Sequence, residues 1–221
     1  MTNEEILRRI DHTLLKAVAS WADIEKLCAE AIRFKTASVC VPPSYVKPIN
    51  MAYGTEVNIC TVIGFPLGYS VTAAKLLETE QALAEGASEI DMVINIGYVK
   101  NGAFDQVLEE IKLVKKACGT KILKVIIETC YLTQEEKIRL CKIVTDAGAD
   151  YIKTSTGFGT AGAVMADIEL FKQYIGNGIK IKAAGGVKTR EDLEAFITAG
   201  CERIGTSSAA ALLAGETAAG Y

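Results

Sequence analysis

One structural unit, a short apolar strand followed by an amphipathic helix, recurs along the whole chain and limits the folds that it can adopt. Runs rich in β-branched residues occur at 9–13, 36–41, 56–64, 89–95, 122–129, 150–155, 179–184 and 203–206. Helical periodicity lies between them, as where Ile24, Leu27, Cys28 and Ala31 share one helix face. Strands that alternate with helices in this way require a parallel sheet.

The number of strand segments favours closure of that sheet. Eight runs match a single-domain (β/α)8 TIM barrel over residues 1–221, and this length suffices for a compact version of the fold. An open doubly wound sheet is the alternative. However, no Gly-x-Gly-x-x-Gly motif follows the first strand, so the dinucleotide-binding form of that fold lacks its fingerprint.

Composition argues against several classes of partner. Half of the residues are hydrophobic and the net charge is −3, so we expect a large core and no binding to nucleic acid or to a membrane surface. The longest uncharged run, 57–74, is interrupted by glycine, proline and asparagine and is not expected to span a membrane. The acidic start lacks an apolar segment, which predicts no secretory signal. The odd number of cysteines points to free thiols and therefore to a cytoplasmic location.

Cysteine and histidine usage predicts free thiols and no metal site. The chain has seven cysteines, no Cys-x-x-Cys pair and a single histidine, His12, so neither a disulfide framework nor a zinc site is indicated. We expect His12 to be a hydrogen-bonded strand residue rather than a catalyst. Cys40 ends the second run, where it is either a buried core residue or a thiol that an aldehyde could modify.

Two lysines stand near the ends of two late strands, where barrel enzymes carry their active groups. Lys153 is followed by three hydroxyl residues and a glycine, and Lys182 leads into two glycines. A buried lysine either finds an anionic partner or loses its proton. A single lysine of this kind would be interpreted as reaching solvent, but two on one sheet indicate an amine with a chemical role.

Alternation along the strands places more charge on the same inward surface. Asp91 on the fourth run and Lys124 on the fifth are expected to face the barrel mouth with Lys153 and Lys182. An internal salt-bridge network is the alternative interpretation. It ranks second because the lysines outnumber the carboxylates, and such an excess suits an amine that is kept neutral.

Four segments together resemble the deoxyribose-phosphate aldolase family. They are residues 151–158 (Tyr-Ile-Lys-Thr-Ser-Thr-Gly-Phe), 181–187 (Ile-Lys-Ala-Ala-Gly-Gly-Val), 89–95 (Glu-Ile-Asp-Met-Val-Ile-Asn) and 10–13 (Ile-Asp-His-Thr). The resemblance runs over essentially the whole chain. It implies a class I aldolase that interconverts 2-deoxy-D-ribose 5-phosphate with acetaldehyde and D-glyceraldehyde 3-phosphate, without a cofactor or metal.

The resemblance also implies the role of each site residue. In the family the lysine of Lys-Thr-Ser-Thr-Gly forms the Schiff base, which matches Lys153. The aspartate of Ile-Asp-Met-Val and the lysine before Ala-Ala-Gly-Gly assist proton transfer, which matches Asp91 and Lys182. The accessory candidates are Lys124, Asp11 and the terminal Tyr221. The chain has Phe158 where some members carry lysine.

An imine requires a neutral amine, whereas an ordinary lysine has a pKa of about 10.4. A shift to about 7 corresponds to roughly 4–5 kcal/mol. A second ammonium ~5 Å away supplies about 3 kcal/mol of this at an effective dielectric of 20, and partial desolvation can supply the remainder. Lys182 beside Lys153 is therefore a sufficient cause.

A phosphate on the substrate needs backbone N–H groups, which the late barrel loops can offer. The candidate phosphate-binding residues are Gly157, Gly185, Gly186, Gly205, Ser207 and Ser208.

Three alternatives remain at this stage: another Schiff-base aldolase, a transaldolase, and a barrel that only binds a sugar phosphate. The expected partners are small sugar phosphates and aldehydes, and the sequence leaves open a homodimer or a higher homo-oligomer.

Overall fold

Eight parallel strands close into a barrel in the computed structural model of the chain, which describes residues 1–187, 189–209 and 211. The strands are β1 (Ile10–Thr13), β2 (Ser38–Val41), β3 (Ile59–Ile63), β4 (Glu89–Val93), β5 (Ile122–Ile126), β6 (Tyr151–Lys153), β7 (Lys180–Ala184) and β8 (Arg203–Thr206). Because β8 pairs with β1, the sheet has no free edge. The predicted (β/α)8 TIM barrel is confirmed, and the open doubly wound sheet is wrong.

Helices connect the strands on the outside of the barrel. They are α1 (Asn3–Leu7), α2 (Trp21–Phe34), α3 (Val46–Tyr53), α4 (Thr72–Ala84), α5 (Ile96–Lys100), α6 (Phe104–Cys118), α7 (Gln134–Asp146), α8 (Met165–Tyr174) and α9 (Arg190–Thr198). The predicted face of α2 is confirmed, since its four apolar residues are all buried. Over the described ranges, no helix combines the length and the apolar character that a membrane crossing requires.

Several strands end earlier than their apolar runs predict, and the cause is local. Strand β5 ends at Ile126 rather than at residue 129, because Glu128 takes a left-handed backbone with a φ of 53°. Strand β4 ends at Val93, and the side chain of Asn95 accepts the N–H of Tyr98 at 3.3 Å as the cap of α5. The shortened strand ends leave these polar residues in the connections at the barrel mouth.

The barrel has an apolar exterior layer and a charged interior. Alternate strand residues such as Ile10, Ile90 and Val125 are fully buried against the helices in one hydrophobic core. Asp11 and Asp91, which alternate with them, are also completely buried but point into the barrel, where they meet the lysines. A buried charge needs a partner of opposite sign, so the interior is organised by ion pairs.

Candidate active site

Three lysines on three neighbouring strands reach the barrel interior. Lys124 lies on β5, Lys153 on β6 and Lys182 on β7, and each is at most 3% exposed. Lys153 pairs in register with Ile126 on one side and with Lys182 on the other. Lys124 therefore lies two residues deeper along its strand than Lys153. The predicted site residues Lys153 and Lys182 stand side by side.

Asp91 on β4 is in contact with all three lysines. Its Oδ2 atom lies 2.7 Å from the Nζ of Lys153 and 2.6 Å from the Nζ of Lys182. Its Oδ1 atom lies 2.9 Å from the Nζ of Lys124 and accepts a hydrogen bond from the thiol of Cys60 at 3.2 Å. Two lysines thus share one carboxylate oxygen, and that oxygen cannot fully neutralise both.

A second layer of charge lies beneath Asp91. Asp11 contacts Lys182 through its Oδ2 atom, and its Oδ1 atom lies 2.5 Å from the guanidinium of Arg203. Arg203 also forms a bidentate pair with Glu89, at 2.9 and 3.2 Å. Glu89 in turn lies 2.5 Å from the Nζ of Lys124. The network therefore continues from the barrel mouth to its opposite end.

The charged neighbours determine which of these groups are ionised. Burial by itself would raise the pKa of Asp91, but Lys124, Lys153 and Lys182 outweigh burial and hold that pKa well below its ordinary value. Burial would lower the pKa of Lys182, but Asp11 and Asp91 outweigh it and raise that pKa above its ordinary value. The pKa of Lys124 is raised for the same reason. Asp91 is therefore a carboxylate at neutral pH, and both Lys124 and Lys182 are ammonium ions.

The charges of the network do not balance if every member is ionised. Within the described part of the chain its basic members are Lys124, Lys153, Lys182 and Arg203, and its acidic members are Asp11, Glu89 and Asp91. The excess of positive charge is one. This count covers the direct ion pairs; the buried carboxylate of Glu128 also interacts electrostatically with Lys153.

The connection that follows Lys153 is held by Glu128. This carboxylate is 2% exposed, accepts the N–H of Thr156 at 3.1 Å and also accepts the Thr156 hydroxyl. The Thr156 hydroxyl in turn accepts the N–H of Phe158 at 3.0 Å. Burial raises the pKa of Glu128, and the hydrogen bonds from Thr156 oppose that rise. Phe158 is half-exposed and packs edge-on against Phe65, with ring centroids 5.3 Å apart.

Three of the candidate phosphate-binding glycines lie where backbones come close together. A Cβ atom on Gly185 would lie 3.1 Å from the Cα of Gly162 and 3.5 Å from the Cα of Gly157. Gly185 and Gly186 have φ values of 73° and 76°, which favour glycine. The backbones of the connections that follow β6 and β7 are therefore in close contact at these glycines.

Gly205 has a different neighbourhood from the other glycines. A Cβ atom there would lie 3.3 Å from the Cε of Lys182 and 3.3 Å from the Cβ of Ala184. Its small size therefore leaves room for the Lys182 side chain on the adjacent strand.

Ser207 and Ser208 follow β8, and their hydroxyl oxygens lie 3.4 Å apart. Both line a cavity of about 470 Å³ between the β1–α2 connection and the end of β8.

Tyr221, the third accessory candidate, lies outside the described residues. Ser155 is completely buried on the strand end beyond Lys153, and its hydroxyl has no hydrogen-bond partner among the described residues.

The remaining predictions concern His12 and Cys40. His12 is confirmed as a hydrogen-bonded strand residue, since its Nε2 atom lies 2.8 Å from Glu30 of α2. Cys40 is fully buried and belongs to a small apolar cluster that also contains Leu15, Cys60 and Val62.

Four residues of the site were not predicted as members: Glu89, Arg203, Glu128 and Cys60. Strand alternation could have identified two of them, because it puts Glu89 on the face of Asp91 and Glu128 on the face of Lys124. No sequence pattern indicates that Arg203 and Cys60 belong to the site. An arginine at the start of a strand is ordinarily interpreted as solvent-exposed, and a lone cysteine in an apolar run as core.

Comparison with known proteins decides the family. A sequence model described as DeoC/LacD family aldolase matches residues 6–215. The chain is 64% identical over 221 residues to the deoxyribose-phosphate aldolase of Clostridium botulinum (strain Eklund 17B / Type B), and the alignment covers 100% of both chains. The chain belongs to the DeoC/LacD aldolase family. It is therefore an enzyme of the lyase class, and the resemblance to deoxyribose-phosphate aldolases is confirmed.

Other members of the family agree in sequence and in fold. The deoxyribose-phosphate aldolase of Clostridioides difficile (strain 630) is 54% identical over 218 residues, which are 99% of this chain and 100% of that one. The tetrameric deoxyribose phosphate aldolase from Aeropyrum pernix superposes with a TM-score of 0.87 at 32% identity, over 96% of this chain and 91% of that one. An aldolase called QR15 superposes with a TM-score of 0.91 at 37% identity, over 95% of both chains.

Proposed function

We propose that this aldolase reversibly cleaves 2-deoxy-D-ribose 5-phosphate to acetaldehyde and D-glyceraldehyde 3-phosphate through a Schiff base on Lys153. The observation that carries the proposal is the position of Lys153 at the mouth end of β6, where it shares one oxygen of Asp91 with Lys182. The names of the relatives at 54–64% identity support the substrate.

The attacking amine of this mechanism is Lys153. Asp11 and Asp91 raise the pKa values of Lys124 and Lys182 and hold both as ammonium ions, which leaves Lys153 as the lysine of the network that is suited to attack. The lone pair of Lys153 then attacks the C1 aldehyde of the open-chain sugar. Loss of water forms the iminium, which is the electron sink of the cleavage and makes a metal unnecessary.

Asp91 and Lys182 move the protons. As the C2–C3 bond breaks, the proton of the C3 hydroxyl passes to Asp91, directly or through a water molecule. The electron pair of that bond enters the iminium and forms an enamine. Lys182 lies 2.6 Å from Asp91 and relays protons with it during protonation and hydrolysis of the enamine.

The ends of β6, β7 and β8 bind the rest of the sugar. The converging backbones of Gly157, Gly185 and Gly186 supply N–H groups to the phosphate, and Ser207 and Ser208 supply hydroxyls. These are small groups beside a cation-rich interior, which suits a phosphate dianion.

Two further features of the enzyme are proposed. It assembles as a homo-oligomer, since the Aeropyrum pernix relative is described as tetrameric. It acts in a reducing, cytoplasmic environment, since all seven cysteines are free thiols.

The test is covalent trapping. Incubation with acetaldehyde and borohydride is expected to inactivate the enzyme and to leave an ethyl group on Lys153, located by peptide mass mapping. Lys153→Leu is expected to abolish the label and keep the fold, because an apolar side chain suits the barrel interior. Lys180, exposed on the neighbouring strand, reports background alkylation. An ethyl group on Lys182 would exchange the two roles, and a label on neither would favour a barrel that only binds sugar phosphates.

A further inference from the structure

Two thiols and a carboxylate face one another inside the barrel beside the lysines. Cys40 on β2 and Cys60 on β3 are neighbours in register, both point inward and both are fully buried. The thiol of Cys60 lies 3.2 Å from Oδ1 of Asp91. Ligand atoms of all three residues lie within 4.8 Å of one another. The proposed Schiff-base chemistry uses neither thiol.

This spacing fits a tetrahedral metal ion. Zinc–sulfur bonds of about 2.3 Å and zinc–oxygen bonds of about 2.1 Å give ligand edges of roughly 3.8 Å between sulfurs and roughly 3.6 Å between sulfur and oxygen. The sulfur of Cys60 and Oδ1 of Asp91 are 3.2 Å apart, so a small increase in their separation brings them to the sulfur–oxygen edge of a zinc site. Two thiolates favour a thiophilic ion over magnesium or calcium. Three protein ligands leave the fourth position for water.

We propose that Cys40, Cys60 and Asp91 bind one Zn²⁺ ion, and that the bound ion inhibits the enzyme. Binding exchanges one divalent cation for the two thiol protons, so the net charge of the interior is unchanged and no electron is transferred. The ion takes Oδ1 of Asp91 and the sulfur of Cys60, which lie 2.9 and 3.3 Å from the Nζ of Lys124, and it displaces Lys124 from both. Lys124 keeps a carboxylate partner, because Glu89 lies 2.5 Å from its Nζ.

Inhibition follows from the loss of Asp91 as a proton carrier. A carboxylate bound to zinc is a much weaker base, and the ion also stands beside the amine of Lys153. This part of the inference rests on the proposed function. The binding of zinc does not, because it needs only the three ligand atoms.

Cys130 provides a matched control. It is the one cysteine of the seven that is not buried, and its sulfur lies 4.0 Å from a carboxylate oxygen of Glu128. A half-buried thiol with one carboxylate could bind zinc weakly, and Cys130→Ser removes that thiol while Cys40, Cys60 and Asp91 stay in place.

The experiment titrates EDTA-treated, full-length enzyme with Zn²⁺ in competition with a chromophoric zinc indicator. We expect one tight equivalent in the unmodified protein and in Cys130→Ser. Cys40→Ser and Cys60→Ser are each expected to weaken binding at least about 100-fold, since loss of an outer partner alone costs 10–100-fold. Mg²⁺ is expected not to compete.

Activity measured alongside separates the two parts of the inference. Zinc is expected to lower aldol cleavage at least tenfold, on the order of 1.4 kcal/mol. EDTA is expected to restore it in full. Retained tight binding in both serine variants, or its loss in Cys130→Ser, would overturn the site. Tight binding to Cys40 and Cys60 with unchanged cleavage would overturn the inhibition.

Cadmium gives a second measurement that requires no substitution. Bound to two thiolates, Cd²⁺ is expected to add a sulfur-to-metal charge-transfer band in the ultraviolet with twice the intensity of a single-thiolate reference. A single-thiolate band in the unmodified protein would contradict the site even if the serine variants failed to fold.

Discussion

Lys182 is restricted by two carboxylates and one glycine. Asp11 and Asp91 hold its ammonium from two sides, and Gly205 leaves the space in which its side chain runs. The pKa of Lys182 is raised by the two carboxylates despite burial, so the group keeps its charge in the neutral range. It is a fixed positive charge beside Lys153 and is poorly suited to be the nucleophile.

Replacement of that charge tests the assignment. In Lys182→Leu the neighbouring positive charge is removed, and Asp91 Oδ2 has Lys153 as its one remaining lysine partner among the described residues. The protonated form of Lys153 is then favoured, so trapping by acetaldehyde and borohydride is expected to slow near neutral pH. The label on Lys153 is expected to recover partly as the pH rises. The measurement is the initial rate of ethyl incorporation across a pH series. Equal rates for the variant and the unmodified enzyme at all pH values would mean that the two amines are uncoupled.

Gly205 and Ser207 can be distinguished by their substrate dependence. Gly205→Ala adds a Cβ atom 3.3 Å from the Cε of Lys182 and is expected to lower kcat for 2-deoxyribose with and without phosphate alike. Ser207→Glu sets a carboxylate against the phosphate and is expected to raise KM at least about tenfold, but only for the phosphorylated sugar. A phosphate-specific loss in Gly205→Ala would instead place Gly205 in the phosphate site.

Strand alternation was sufficient to predict the central residues of the site. Asp91, Lys124, Lys153 and Lys182 lie at inward positions of consecutive strands, and a two-residue period finds them all. The contacts of Arg203 with Asp11 and Glu89 could not be predicted in this way. They join residues separated by 192 and 114 positions, and they depend on how the strands are staggered around the closed barrel.

At the scale of elements, the β5–α7 connection supports the β6–α8 connection. Glu128 turns the chain out of β5 in a left-handed conformation, and its buried carboxylate then accepts two hydrogen bonds from Thr156. The β5–α7 connection therefore fixes the backbone that follows Lys153 in the β6–α8 connection. A left-handed non-glycine residue in this position points to a functional constraint.

Two substitutions separate the carboxylate from the backbone conformation. Glu128→Ala loses both hydrogen bonds and is expected to lower the free energy of unfolding by about 2–3 kcal/mol. Glu128→Gly loses the same bonds but suits a φ of 53°, and is expected to be more stable than the alanine variant by about 1 kcal/mol. Urea unfolding measures both values. Equal stability of the two variants would show that the left-handed turn is relaxed in solution.

All eight strands were predictable as elements, whereas several of their ends were not. A run of β-branched residues fixes where a strand can lie, but its last residue depends on competing local bonds. Asn95 became a helix cap, and Glu128 left the strand because its carboxylate had a buried partner 28 residues away. Neither bond is visible in a pattern of apolar residues.

For the whole molecule, the interior network couples stability to pH. The folded-state pKa values of Asp11 and Asp91 lie below the unfolded value of about 3.9, so their contribution is complete above that pH. It is lost as the pH falls through the unfolded and then the folded value. We expect the free energy of unfolding to decline steeply below a pH of about 4. Asp11→Asn should be less stable at neutral pH and show a shallower decline, measured by urea unfolding at each pH.

The pairing of β8 with β1 has a consequence for the synthesis of the chain. Arg203, the guanidinium partner of Asp11 and Glu89, lies in β8 and is translated after the other seven strands, and until then β1 and β7 have open edges. A nascent chain that stops before residue 203 contains the three lysines of the barrel interior, Lys124, Lys153 and Lys182, without Arg203 and with an unfinished ring. The barrel is therefore expected to gain stable tertiary structure only when the last strand has left the ribosome, and a premature stop there should leave a substrate for proteases.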